Sequence, residues 1–87
     1  MPEIHVEIRL KANWPTEAEM ELRHVIEDAI EEQSIGEVVQ AGSGLGIAEL
    51  YVEVPESEAG TALKAIEAIA KANGAEQITK VTLLDDG

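Results

Sequence analysis

Hydrophobic and polar residues alternate strictly near the start of the chain. The apolar side of this alternation consists of Ile4, Val6, Ile8 and Leu10. A period of two with β-branched residues on one side predicts a half-buried first strand over residues 3–11. The break at residues 13–15, which include the only tryptophan and a proline, ends it.

A helical period follows. Thr16 and Glu19 have the spacing of a capping box, in which the hydroxyl accepts from the Glu19 amide and the carboxylate reaches back. The apolar stripe of the predicted first helix, about five turns long, is formed by Ala18, Leu22, Val25, Ile26, Ala29 and Ile30. We expect Gly36 to end this segment, because glycine readily adopts a positive φ.

The next segment has the pattern of a β-hairpin. Residues 37–41 predict a short strand, and residues 47–54 predict a second alternating strand that Pro55 stops. The predicted turn between them is glycine-rich and consists of Gly42, Ser43, Gly44, Leu45 and Gly46.

A second helix and a last strand complete the pattern. We expect Ser57 to cap the helix and Asn73-Gly74 to close it. Its apolar stripe is Ala59, Leu63, Ile66, Ile69 and Ala70. The pattern of residues 77–84 predicts a strand, but it does not show which alternate residues face the core. Residues 85–87 are expected to form a frayed tail.

The resulting order is βαββαβ within one domain spanning residues 1–87. Connection rules place both helices on one face of a four-stranded antiparallel sheet, which is the α+β ferredoxin-like plait. We expect the first and third strands to form a parallel central pair. His5, Glu7, Glu49 and Tyr51 should then lie close together on the open face of the sheet.

The charge balance excludes several functions. With 18 acidic and 6 basic residues, the net charge is −12. Direct binding to nucleic acid or to an anionic membrane needs clustered Lys and Arg, and two aromatic residues give little for base stacking. No apolar run is long enough to span a membrane, and the N-terminus has no basic segment followed by an apolar one as in a signal peptide, so we expect a cytoplasmic protein. Without cysteine there is neither a disulfide nor a thiolate nucleophile.

The first helix is strongly acidic, with Arg23 its one basic residue, which we expect to pair with Glu19. Its C-terminal half carries Glu27, Asp28, Glu31 and Glu32. Such a run can be a simple solvated face, or an acidic ridge that steers a basic partner. Acidic residues at a helix C-terminus oppose the helix dipole, which favours the ridge.

Two further surfaces are candidates for partner binding. The open sheet face carries Glu49, Tyr51 and Glu53, and it could remain exposed, bind a partner or mediate a homodimer. The flexible backbone of the glycine-rich turn could adapt its conformation to the surface of a partner. It does not match a phosphate-binding loop, because it joins two strands and no Lys follows its last glycine.

Candidate chemistry is sparse. His5 beside Glu49 and Tyr51 could form an acid–base cluster, but on a flat sheet with no evident pocket wall. His24, Glu27 and Asp28 have metal-ligand spacing, yet a structural site normally needs four ligands. We therefore expect no enzyme activity, no cofactor and no metal.

Residues 19–31, 36–39, 42–46 and 50–54 resemble small, mostly uncharacterised bacterial ferredoxin-like proteins. The likeness covers about residues 16–84, and its most distinctive part is the turn of alternating glycines. Some small acidic proteins of this plait type resemble immunity proteins, which neutralise a toxin by occupying its active site. The resemblance implies no catalytic residue.

These observations favour an acidic protein-binding module, most simply an immunity-type inhibitor of a basic toxin or nuclease. A phage anti-defence protein that mimics nucleic acid, of the anti-CRISPR kind, is the first alternative. A small dimeric regulatory or ligand-binding plait domain is the second.

Overall fold

Four strands and two helices follow the predicted order in the computed structural model, which describes residues 2–84. The tail expected at residues 85–87 lies outside the described residues. The elements are β1 (Glu3–Arg9), α1 (Glu17–Glu32), β2 (Glu37–Gly44), β3 (Ile47–Glu53), a short 3₁₀ turn (Glu56–Glu58), α2 (Ala59–Ala72) and β4 (Thr79–Leu84).

The four strands form one sheet in the order β2-β3-β1-β4, with every neighbouring pair antiparallel. This is the predicted α+β ferredoxin-like plait. The expectation of a parallel β1–β3 pair was wrong. Because α1 returns the chain between β1 and β2, those two strands run in the same direction. The hairpin then reverses the chain again, so that β3 runs antiparallel to β1. The predicted adjacency is confirmed, since His5 lies opposite Tyr51 and Glu7 opposite Glu49.

The core lies between one face of the sheet and both helices. Its sheet side comes from alternate residues of β1 and β3, and Ile26, Ile30 and Ile66 cover it from the helices. The buried stripe of α1 is narrower than predicted, because Ala18 and Val25 are exposed. Only the residues around Ile26 and Ile30 reach the sheet, because these two residues are one turn apart and lie on the same face of the helix.

The N-terminus of α1 has the predicted capping box. The Glu19 amide donates to Thr16 Oγ1 at 3.2 Å, and the Thr16 amide donates to the Glu19 carboxylate at 2.9 Å. The second carboxylate oxygen accepts from the Lys11 amide at 3.1 Å, where a pair with Arg23 was expected. These backbone hydrogen bonds, from Thr16 first and Lys11 second, lower the pKa of Glu19.

Two of the predicted helix boundaries were wrong. The residue with a positive φ after α1 is Ser34 (53°) and not Gly36. Gly36 is needed instead because its backbone passes close to β3. Ser57 lies in the 3₁₀ turn, and α2 begins after Glu58 without a side-chain cap. The end of α2 agrees with the prediction, since Gly74 takes a φ of 72°. Neither helix described in residues 2–84 has the length and apolarity needed to cross a bilayer.

Candidate functional site

An open groove of about 650 Å³ lies where α1 ends and β2 begins. Four carboxylates from four different elements line it: Glu31, Glu37, Glu53 and Glu58. Ile35, Val38 and Pro55 provide apolar surface between them. No Lys or Arg of the described chain lines this acidic groove, so its negative charge has no local counterpart.

The sheet register concentrates charge at the same end. Glu53 lies directly opposite Glu37 on one side and Glu3 on the other. Residues at directly opposite positions of neighbouring strands have Cβ atoms about 5 Å apart, and like charges there destabilise a sheet. The fold therefore places three glutamates in a row at directly opposite positions of β2, β3 and β1.

The acidic ridge of α1 continues into this region. Glu31 lines the groove, while Asp28 and Glu32 are exposed and Glu27 is half-buried on the same helix. The last turn of α1 contains no basic residue, so the partial negative charge of the helix C-terminus adds to that of the carboxylates. We call this whole region the acidic end, formed by Glu3, Glu31, Glu32, Glu37, Glu53, Glu56 and Glu58.

Most of the basic residues lie at the opposite end of the sheet. Arg9 pairs in register with Ile47 and Lys80 with Glu7, while Lys11 follows β1 and Lys71 occupies the last turn of α2. Acidic residues lie there as well, since Glu7 is opposite Lys80 and Glu19 accepts from the Lys11 amide. The acidic end differs in that no Lys or Arg of the described chain lines its groove.

The centre of the open sheet face holds the predicted cluster around His5. The His5 and Tyr51 rings stack with centroids 4.7 Å apart and an interplanar angle of 15°. His5 Nε2 lies 2.9 Å from Glu49 Oε2, with both side chains partly exposed. His5 thus contacts both Tyr51 and Glu49 across the β1–β3 pair on the open face of the sheet.

The glycine-rich turn is shorter than predicted. Gly42, Ser43 and Gly44 continue β2, and only Leu45 and Gly46 form the loop. Both loop residues have positive φ, 54° and 85°, as in the type I′ turns that suit the twist of a hairpin. Pairing with β3 overrides the weak strand preference of glycine.

The hairpin tip presents an apolar pair that includes a residue not predicted as a site. Leu45 is 91% exposed in a left-handed conformation, and Trp14 is 73% exposed. The Trp14 ring lies beside Gly44, and the loop is fixed by a bond from the Gly46 amide to the Asn13 carbonyl. The only signal for Trp14 in the sequence is a lone tryptophan in a loop before proline.

The structure therefore divides the predicted site residues among three regions. Glu31 and Glu53 meet at the acidic groove, and Glu49 and Tyr51 meet at the centre of the open face. The hairpin tip lies at the far end of β3, about 20 Å from Glu53 by the rise of a strand. Glu37 and Glu58 were missed, because only the folded register brings them to the groove.

No group of three or more His, Cys, Asp or Glu in the described part of the chain is arranged to hold a metal ion. Comparison with family models, with curated proteins and with solved structures finds no significant match to this chain.

Proposed function

We propose that this chain is an acidic protein-binding module whose acidic groove receives a basic segment of a partner protein. The observation that carries the proposal is the convergence of four carboxylates from α1, β2, β3 and the 3₁₀ turn on one groove without a basic residue. Unpaired carboxylates at close spacing cost stability in the free protein, and a partner's Lys or Arg would neutralise them.

The groove is suited to a long basic side chain. Apolar surface from Ile35, Val38 and Pro55 can contact the aliphatic stem of Lys or Arg, while the surrounding carboxylates bind its charged head. The wider acidic end steers such a partner toward the groove and raises the association rate.

The specific role that we propose is that of an immunity-type inhibitor. Toxins that act on nucleic acid have basic clefts, and a protein with such an acidic end can dock into a basic cleft and cover it. Residues 16–84 resemble small ferredoxin-like proteins, some of which resemble immunity proteins, and this resemblance favours the same role.

The test compares two variants of equal charge. The groove variant carries Glu31→Gln, Glu37→Gln, Glu53→Gln and Glu58→Gln. The matched control carries Glu17→Gln, Glu21→Gln, Glu67→Gln and Glu76→Gln, four exposed positions outside the groove. Each is used with the wild-type protein to capture partners from the source lysate at about 50 mM and about 500 mM NaCl.

We expect a basic protein to be captured at low salt by the wild type and the control but not by the groove variant. With that protein purified, its association rate with the groove variant should fall by about tenfold or more, with little change for the control. Equal loss in both variants, or no basic protein at low salt, would contradict the proposal.

The partner's own activity then tests the specific role. A toxin should lose activity when mixed with an equimolar amount of wild-type protein and keep it with the groove variant. If instead the partner is a nucleic-acid-binding defence protein and DNA or RNA displaces the chain from it, the nucleic-acid mimic is the correct function.

A further inference from the structure

The strand β4 forms an open edge of the sheet. In the described structure it pairs only with β1, so the N–H and C=O groups on its outer side have no strand partner. The pairing with β1 runs without a register shift. The other edge, β2, is interrupted by a bulge between Val38 and Gln40, and bulges hinder the addition of another strand.

Charge also distinguishes β4 from the rest of the chain. Every other helix and strand contains at least one Asp or Glu, whereas β4 contains none and carries Lys80. In a protein with a net charge of −12, pairing through residues 79–84 adds no carboxylate to the new strand pair, and Asp85 and Asp86 follow directly after it in the sequence. The edge also exposes Leu83 (42%) and Leu84 (37%), apolar side chains that a further strand would cover.

A pocket of about 310 Å³ lies beside this edge, between α2 and β4. Ala68, Ala70 and Val81 give it apolar walls, and the charged residues Glu67, Lys71 and Glu76 also line it. Thr79 also lines it, and the Thr79 hydroxyl is buried without a hydrogen-bond partner. A strand added next to β4 would place every second side chain on this helix-covered side of the sheet.

We propose that β4 pairs antiparallel with β4 of a second copy, so that two sheets become one eight-stranded sheet. A two-fold axis perpendicular to the sheet keeps the helices of both copies on the same side. Thr79, Val81 and Leu83 then meet their counterparts on the helix-covered face, and Lys80, Thr82 and Leu84 meet theirs on the open face.

A second copy fits this edge better than a partner of other chemistry. It supplies a strand of equal length with the same apolar residues on each face, and residues 79–84 themselves contain no carboxylate. The acidic groove lies on the β2 side of the sheet and stays free in such a dimer. The inference is therefore independent of the proposed function.

The test measures the oligomeric state by sedimentation velocity at about 100 μM protein, well above a micromolar dissociation constant. We expect a species of twice the 9.3 kDa chain mass. Leu83→Lys should weaken the dimer about tenfold or more, because it places a charge at the new strand pair. The matched control is Val39→Lys, an equally exposed position (44%) on the other edge, which should leave the dimer intact.

Circular dichroism checks that each variant is folded, and Leu84→Lys repeats the test from the open face. Added salt should strengthen the dimer, because it screens repulsion between copies, whereas it weakens binding of a basic partner. A monomeric wild type would overturn the proposal. A dimer that survives both leucine substitutions, or that Val39→Lys dissociates, would also overturn it.

Discussion

At Gly36 the backbone passes so close to β3 that no side chain fits. A Cβ built there would lie 2.7 Å from the Glu53 carbonyl oxygen and 2.7 Å from Val54 Cγ1. The sequence showed a glycine after a helix, and the usual reason for such a glycine is a positive φ. The actual reason depends on β3, a strand that comes later in the chain, and so could not be derived from the local pattern.

Gly36→Ala should lower the free energy of unfolding by about 1–3 kcal/mol, the usual cost of overpacking. Urea unfolding measures the change. The control is Gly60→Ala in the first turn of α2, where an added Cβ meets nothing within 4 Å. That substitution should leave stability unchanged or raise it by up to about 1 kcal/mol, since alanine is the better helix former. Equal losses in both variants would show that the close approach at Gly36 is not the cause.

At the scale of the elements, the hydrophobic period predicted all four strands and both helices. Errors arose where tertiary pairing outweighed local preference, as in the glycines of β2 that became strand. The acidic ridge of α1 could be identified in the sequence because its residues lie on one helix. The groove could not, because Glu37 and Glu58 join Glu31 and Glu53 only through the sheet register and the 3₁₀ turn.

The capping box of α1 makes stability depend on pH. The hydrogen bonds from the Thr16 and Lys11 amides favour the charged carboxylate, so the pKa of Glu19 is lower in the folded than in the unfolded protein. The stabilisation is therefore present above the unfolded pKa of Glu, about 4.3, and is lost as the pH falls through the lowered value.

Glu19→Gln should therefore be less stable than the wild type at neutral pH, with the difference shrinking as the pH falls below about 4. Urea unfolding at a series of pH values measures it. Glu21→Gln removes one carboxylate from the same helix without touching the cap and controls for the change in charge. A difference that stays constant across the acidic range would contradict the role assigned to Glu19.

At the scale of the whole molecule, the charge distribution links stability to the proposed binding of a basic partner. Glu53 lies between Glu37 and Glu3 on neighbouring strands and also lines the acidic groove. An arrangement that costs stability and has no structural benefit in the free protein is expected where a partner supplies the missing charge. Under the proposed function, the same carboxylates should therefore weaken the fold and strengthen the complex with a basic partner.

Glu53→Gln should raise the free energy of unfolding by about 0.5 kcal/mol at low salt, because it removes the middle charge of the row. The gain should shrink at about 500 mM NaCl, where the screening length is only a few ångströms. The control is Glu67→Gln on α2, where Lys64 and Lys71 lie at helical spacings that favour a carboxylate, so its stability should not rise. Urea unfolding at both salt concentrations decides between these results. Loss of stability in Glu53→Gln at low salt would mean that the row is not repulsive. A gain in stability together with slower association with a basic partner would identify Glu53 as a residue that serves binding at the expense of the fold.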